Sequence, residues 1–259
     1  MTSNLKISLI QLPLFWENAL KNRDYIEKHL NSLDKNSNIV LLPEMFNSGF
    51  TMNARKVSET MTGPSILWMK SWAKKLNTLL GGSLAIKEGE NFYNRFVIVS
   101  SERVIAQYDK RHTFTLAEEN KSYTSGNDLG LFKYQGWKIC LRICYDLRFP
   151  VWSRNTTDYD LLIFVANWPV DRISAWDTLL RARAIENMCY VVGVNRTGED
   201  FKGLNYPGHS SIYDPMGELI TPENFIKEGV VGAILNYSKL EGCRNQFRFL
   251  EDRDNFDLC

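Results

Sequence analysis

The chain has 259 residues, 44% of them hydrophobic, 12% aromatic and 24% charged; 31 Lys plus Arg against 30 Asp plus Glu give a formal net charge of +1. That composition excludes a disordered chain, and the balanced charge gives no reason to expect nucleic acid or an acidic membrane surface as the main partner. The length suits one large α/β domain, whose core needs neither a disulfide nor a metal staple.

In chain order, Leu5 to Leu12 predicts a first strand, and Trp16 to Leu33, apolar at Trp16, Leu20, Ile26, Leu30 and Leu33, predicts a surface helix. Asn38 to Leu42 reads as a buried strand ending at Pro43-Glu44. Pro64 to Leu76 predicts a second helix, with Gly63 just before it. Gly82 to Ile86, Tyr93 to Val99 and Val104 to Tyr108 read as an antiparallel meander. The polar stretch from Lys110 to Asn127 is too long for an ordinary connection and is marked as a functional loop. Gly130 to Tyr134 and Trp137 to Ile143 form a hairpin around Gln135-Gly136. Asp160 to Ala166 and Cys189 to Val194 flank a helix from about Ser174 to Met188. Gly208 to Tyr213, Leu219 to Ile220 and Val230 to Leu235 close the sheets, and Tyr237 to Phe247 is a last helix. Strands of both βα and hairpin type predict mixed sheets with helices outside them.

The five cysteines, Cys140, Cys144, Cys189, Cys243 and Cys259, are odd in number and lack a CxxC pair, which fits a reduced intracellular protein. The first residues lack the features of a signal peptide. Apolar runs such as Leu161 to Ala166 fall short of the ~20 residues a membrane helix needs. The expected location is the cytoplasm.

Ligands of such folds gather at the carboxyl ends of strands, where Glu44, Lys110 and Cys144 are expected. Cys144, on a sharp turn after a strand, would present a nucleophilic sulfur, with the Tyr145 N–H facing an oxyanion. Lys110 would lower the thiol pKa and stabilise negative charge. Glu44 would take the thiol proton and pass it on. Taken singly, each also has a structural reading: a buried small hydrophobe for Cys144, and solvated loop charges for the other two. Among the histidines, His29 is expected on the exposed helix face and His209 in a structural turn. His112 lies beside Lys110 without an evident Asn or Asp partner. Three His and five Cys without ligand spacing give no metal site.

Leu42-Pro-Glu44, Tyr108-Asp-Lys110-Arg-His112 and Ile143-Cys-Tyr-Asp-Leu-Arg-Phe-Pro150, in that order, resemble the signature segments of the nitrilase superfamily of carbon–nitrogen hydrolases. Val165-Ala-Asn-Trp-Pro169, Arg181 to Asn187, Gly193-Val-Asn-Arg196 and Gly208 to Gly217 extend the likeness over nearly the whole chain. The resemblance implies α/β architecture, a four-layer αββα sandwich, over residues 1–259 as a single domain. It implies a homodimer, with a segment from about 247 to 259 as a tail for dimer contacts. It also implies a catalytic triad of Glu44, Lys110 and Cys144, and a second glutamate, Glu119, beside the alternative Glu118.

Among branches, the Cys144 and Asn167-Trp-Pro169 segments are similar to the bacterial YafV-type omega-amidases. That similarity implies hydrolysis of small 2-oxo acid amides through a cysteine thioester, with no cofactor. A nitrile, an N-carbamoyl amino acid or deaminated glutathione as substrate, and an inactive scaffold, are the alternatives. Tyr145, Arg148, Trp168 and Arg196 are the expected substrate-binding residues, the arginines for a distal carboxylate and Trp168 as a wall.

Overall fold

A computed structural model describes residues 2–33, 36–223 and 225–257. Its first sheet is built from β1 (Leu5–Gln11), β2 (Ile39–Leu41), β3 (Leu79–Glu88), β4 (Asn91–Val99), β5 (Val104–Asp109) and the late strand β13 (Gly229–Leu235), in the order β13-β1-β2-β3-β4-β5. The first three run parallel, β3 to β5 form the expected meander, and β13 returns antiparallel to β1. The second sheet contains β6 (Leu131–Tyr134), β7 (Trp137–Ile143), β8 (Leu161–Ala166), β9 (Tyr190–Asn195) and β12 (Ser211–Tyr213), in the order β12-β9-β8-β7-β6. A separate ribbon pairs β10 (Thr197–Glu199) with β11 (Asn205–Pro207).

Side-chain alternation sorts the apolar residues into three layers. Leu5, Ile7 and Leu9 of β1 meet Ile139, Leu141 and Ile143 of β7 and Ile163 and Val165 of β8 in one cluster between the sheets. The opposite faces are covered by helices. Ile10, Val40 and Leu80 pack against Ile26 and Leu30 of α1 (Ala19–Ser32) and Ile66, Met69 and Ala73 of α3 (Pro64–Leu76). Leu162 and Phe164 pack against Trp176, Leu180 and Ala184 of α4 (Ile173–Asn187). The layers therefore run helix, sheet, sheet, helix. Each fully buried Leu or Ile contributes about 1.5–3 kcal/mol, so the inter-sheet layer is the main tie between the halves.

Helix boundaries follow local chemistry. The helix expected from Trp16 begins at Ala19, because Asn18 caps it by accepting the Lys21 N–H (3.0 Å) and Glu17 takes a left-handed φ of 47°. The α3 helix starts at Pro64 and ends on left-handed Asn77, as its composition predicts. Among the α-helices and sheets of the described residues, the short helix α2 (Ala54–Val57) and the β10–β11 ribbon were not expected. The last helix, α5 (Tyr237–Phe247), has its expected bounds. Beyond it, Arg253 ties the C-terminal segment to Asp158 (2.7 Å). Cys140, Cys144, Cys189 and Cys243 are free thiols; Cys259 lies outside the described residues. Among the described residues no helix is long and apolar enough to cross a membrane.

Candidate active site

Parallel strands deliver their carboxyl ends to one rim of the sandwich. On the first sheet, Glu44 follows β2 and Lys110 follows β5. Asn94 of β4 pairs with Ala85 near the end of β3, at the same rim. On the second sheet, Cys144 follows β7 and Asn167 follows β8. The structure thus gathers residues that the sequence separates widely.

Lys110 is the hub. Its Nζ donates to Glu44 Oε1 (2.9 Å) and to both oxygens of Glu119 (3.1 and 2.9 Å), and all three side chains are buried. Asn94 Nδ2 donates to Glu44 Oε1 (2.8 Å) and Glu119 Oε1 (3.2 Å). Asn167 closes the other side: its N–H reaches Glu44 Oε2 (2.9 Å) and its Nδ2 reaches the Glu44 backbone carbonyl (2.7 Å). These last bonds cross from one sheet to the other. The Phe114 N–H completes Glu119 at 2.6 Å from Oε2. The adjacent glutamates differ in placement: Glu119 is buried in the cluster, while Glu118 is exposed and pairs with Lys121.

Burial alone would push the Lys110 ammonium toward deprotonation, but Glu119, Glu44 and Cys144 beside it outweigh that and hold it above the lysine range. Burial raises the Glu119 carboxyl, with Lys110 opposing. Burial, reinforced by the Glu44 charge, pushes the Cys144 thiol well above its ordinary range, although Lys110 pulls it down. Both shifts favour the protonated forms, a neutral thiol at Cys144 and a charged ammonium at Lys110.

Cys144 has a φ of 45°, a backbone region costly for a side-chain-bearing residue and frequent at functional turns. It opens a short 3-10 helix, Cys144 to Arg148, with Sγ 3.8 Å from the Asn167 carbonyl. Asp146 fixes the turn by accepting the Ile143 N–H (3.0 Å), the Tyr108 hydroxyl (2.7 Å) and the His112 N–H (2.9 Å). His112 Nδ1 also meets Asp146 at 2.8 Å, and its ring stacks on Phe149. No acidic partner for His112 was evident from the sequence; the structure supplies one in Asp146, which holds the imidazole as a brace for the turn. No acceptor among the described residues takes the Tyr145 N–H.

A cavity of about 320 Å³ opens on Cys144 and Lys110. Tyr145, Arg148 and Trp168 line it, as do Trp16, Phe50, Phe114 and Arg172, which sequence reasoning did not single out. Arg196 is a correction. It is buried and lies outside the cavity wall, its guanidinium held by the carbonyls of Thr197 (3.1 Å), Glu199 (3.0 Å) and Leu14 (3.3 Å). A guanidinium next to a ribbon rich in unpaired carbonyls is drawn to them before any ligand. Asn94 was also missed, because β4 (Asn-Phe-Tyr-Asn-Arg-Phe-Val-Ile-Val) carries Asn91 and Arg95 as well and nothing in the sequence sets Asn94 apart from them.

Fold and cluster together define a class, mixed α/β sandwich hydrolases with their chemistry at facing strand ends. Residues 6–245 match the family model of carbon-nitrogen hydrolases, and the chain belongs to that family of enzymes hydrolysing carbon–nitrogen bonds. It is 41% identical over 256 residues to the omega-amidase YafV of Yersinia enterocolitica, covering 99% of each chain. It is 33% identical to the 2-oxoglutaramate amidase of Bacillus subtilis, covering 91% of each. A solved structure, a CN-hydrolase superfamily protein from Xanthomonas campestris with an arsenic adduct in its active site, superposes with a TM-score of 0.95 at 38% identity. That match covers 99% of this chain and 100% of the other.

Proposed function

We propose that the chain is an omega-amidase that hydrolyses the side-chain amide of small 2-oxo acid amides, such as 2-oxoglutaramate and 2-oxosuccinamate, to the dicarboxylate and ammonia. The observation that carries the chemistry is the shared cavity of Cys144 and Lys110, with a buried Glu44 carboxylate behind Lys110 that bonds both sheets. The YafV-named and 2-oxoglutaramate amidase relatives support the substrate class.

In this reading Cys144 Sγ attacks the amide carbon while its proton passes to Glu44. The raised thiol makes that transfer necessary, because little thiolate exists beforehand. Lys110 and the Tyr145 N–H face the developing oxyanion. The C–N bond breaks as Glu44 returns the proton to the leaving nitrogen, releasing ammonia and leaving a thioester on Cys144. Glu44 then takes a proton from water, whose oxygen attacks the thioester, and the thiol is regenerated. Glu119 keeps Lys110 charged and in place. Tyr145 and Trp168 shape the cavity, and Arg148 meets the substrate's distal carboxylate. We read residues 1–259 as one domain acting in the cytoplasm as a homodimer, its C-terminal segment contributing to the contact; sedimentation gives the assembly state.

The test is ammonia release from 2-oxoglutaramate, 2-oxosuccinamate, glutamine, asparagine, an N-carbamoyl amino acid and a nitrile. The 2-oxo acid amides are expected to exceed the rest in kcat/KM. Cys144→Ala is expected to cut kcat at least about 10⁴-fold with an unchanged unfolding midpoint. A faster nitrile or N-carbamoyl substrate, or an active Cys144→Ala, overturns the reading.

A further inference from the structure

Buried arginines of this protein are consumed by internal acceptors. Arg95 holds Asp109 and Glu88, Arg142 holds the carbonyls of Leu129, Leu141 and Trp152, and Arg183 holds Leu147 and Glu186. Arg148 and Arg172, on the cavity wall, differ. Among the described residues neither guanidinium has a carboxylate or carbonyl partner; each lies over a ring instead. Arg148 is 5.1 Å from the Trp168 centroid and Arg172 is 5.5 Å from the Phe114 centroid. A ring under a guanidinium orients it without neutralising it, so its fork of donors stays free for a planar anion.

The acids on the same wall are already engaged. Glu17 accepts from Thr51 (2.7 Å) and Lys56 (2.6 Å), and Asp200 from the Tyr206 hydroxyl (3.0 Å) and the Lys202 and Leu204 amides. Lys56 neutralises Glu17, whereas the donors to Asp200 are uncharged and leave its charge in place; Arg148, Arg172 and Lys202 on the same wall outnumber it, so the wall is net cationic. The two arginines are also joined mechanically. Trp168 Nε1 donates to the Arg172 carbonyl (2.7 Å), so the backbone of Arg172 fixes the ring on which Arg148 rests. Phe114, beneath Arg172, uses its own N–H to hold Glu119.

We propose that Arg172 is a specificity-determining residue, forming with Arg148 a two-guanidinium clamp for the carboxylate of a 2-oxo acid amide. The inference rests on the amidase reading and deepens it. It also accounts for selection by class, since the ammonium of an α-amino acid amide would sit against two cations while a 2-oxo group carries no charge.

The experiment compares 2-oxoglutaramate with 4-oxopentanamide, which keeps the chain and the amide but has a methyl in place of the carboxylate. Arg172→Gln is expected to raise KM for 2-oxoglutaramate about ten- to a hundredfold, to change kcat less than about threefold, and to leave kcat/KM for 4-oxopentanamide unaltered. Arg172→Lys is expected to recover part of the loss. Equal losses on both substrates, or an unchanged KM, overturn the proposal. A second arm needs no turnover: in the Cys144→Ala background, calorimetry follows binding of both amides with and without Arg172→Gln. If the wild-type enzyme releases no ammonia from 2-oxoglutaramate, the amidase reading fails by itself. The binding arm still decides, because a preference for the anion that Arg172→Gln abolishes supports the clamp, and no such preference overturns it.

Discussion

Behind the cavity, where Lys110 meets it, Glu44, Lys110 and Glu119 form a floor closed off from solvent, and their charged atoms find partners in one another and in Asn94 and Asn167. Along its wall, Arg148 is exposed, Phe201 is 57% exposed, and guanidiniums rest on aromatic rings without an anion. The floor is anchored by strand ends of two sheets; the wall comes largely from loops and the β10–β11 ribbon. In the floor's low dielectric, charges act strongly and must be matched. Unmatched donors at the wall are affordable because water covers them until a ligand arrives. The floor thus sets the reaction, and the wall selects what reaches it.

The contrast breaks first at Lys110. Replacing it with Met leaves the Glu44 and Glu119 carboxylates facing each other in a buried site. Urea unfolding of Lys110→Met is expected to show a loss of about 3–5 kcal/mol, the cost of stripping a buried charge of its partner. Adding Glu119→Gln should restore part of that stability and none of the activity, because the repelling charge goes while the cation remains missing. A stability loss below about 1 kcal/mol in the single variant would mean that the floor is wetter and less coupled than its geometry implies.

Proton state sharpens the same comparison. With the Cys144 thiol held above its ordinary range by burial and by Glu44, its thiolate fraction at neutral pH is small and grows about tenfold per pH unit until the raised pKa is reached. Alkylation of the free enzyme by iodoacetamide, read as a first-order rate from pH 6 to 9, is therefore expected to climb throughout. A plateau near pH 7 would reveal a thiolate already formed at rest, and would remove Glu44's part in deprotonating it.

Legibility in the sequence follows this division. Glu44, Lys110 and Cys144 stand out because each ends an apolar strand within a motif, and a strand end in such a fold has a known place. Helix α3 was readable to the residue from Pro64, Gly63 and its apolar spacing. Glu119 was reachable only through its motif, since Glu118 is the same residue type and only tertiary burial separates them. Arg172, just before α4, was not singled out, and nothing local reveals the Phe114 ring beneath it. The three-residue strands of the ribbon are too short for periodicity to register. Arg196 was misplaced because neighbours in sequence cannot show which carbonyls a folded ribbon leaves open.

The smallest expected effect lies at that ribbon. Phe201, between β10 and β11, stacks on Trp16 with centroids 3.8 Å apart, and both line the cavity. Two strands of three residues are marginal by themselves, so the ribbon's position over the cavity depends on this aromatic pair and on the carbonyl bonds of Arg196. An aromatic pair contributes about 0.5–1.5 kcal/mol beyond area burial, which sets the scale for losing it. Phe201→Ala is expected to raise KM for 2-oxoglutaramate about two- to tenfold while kcat holds, and to speed hydrogen exchange of the ribbon amides but not those of β7 or β8. A fall in kcat to match the rise in KM would place Phe201 with the floor, and the boundary between the two regions would have to move outward to include the ribbon.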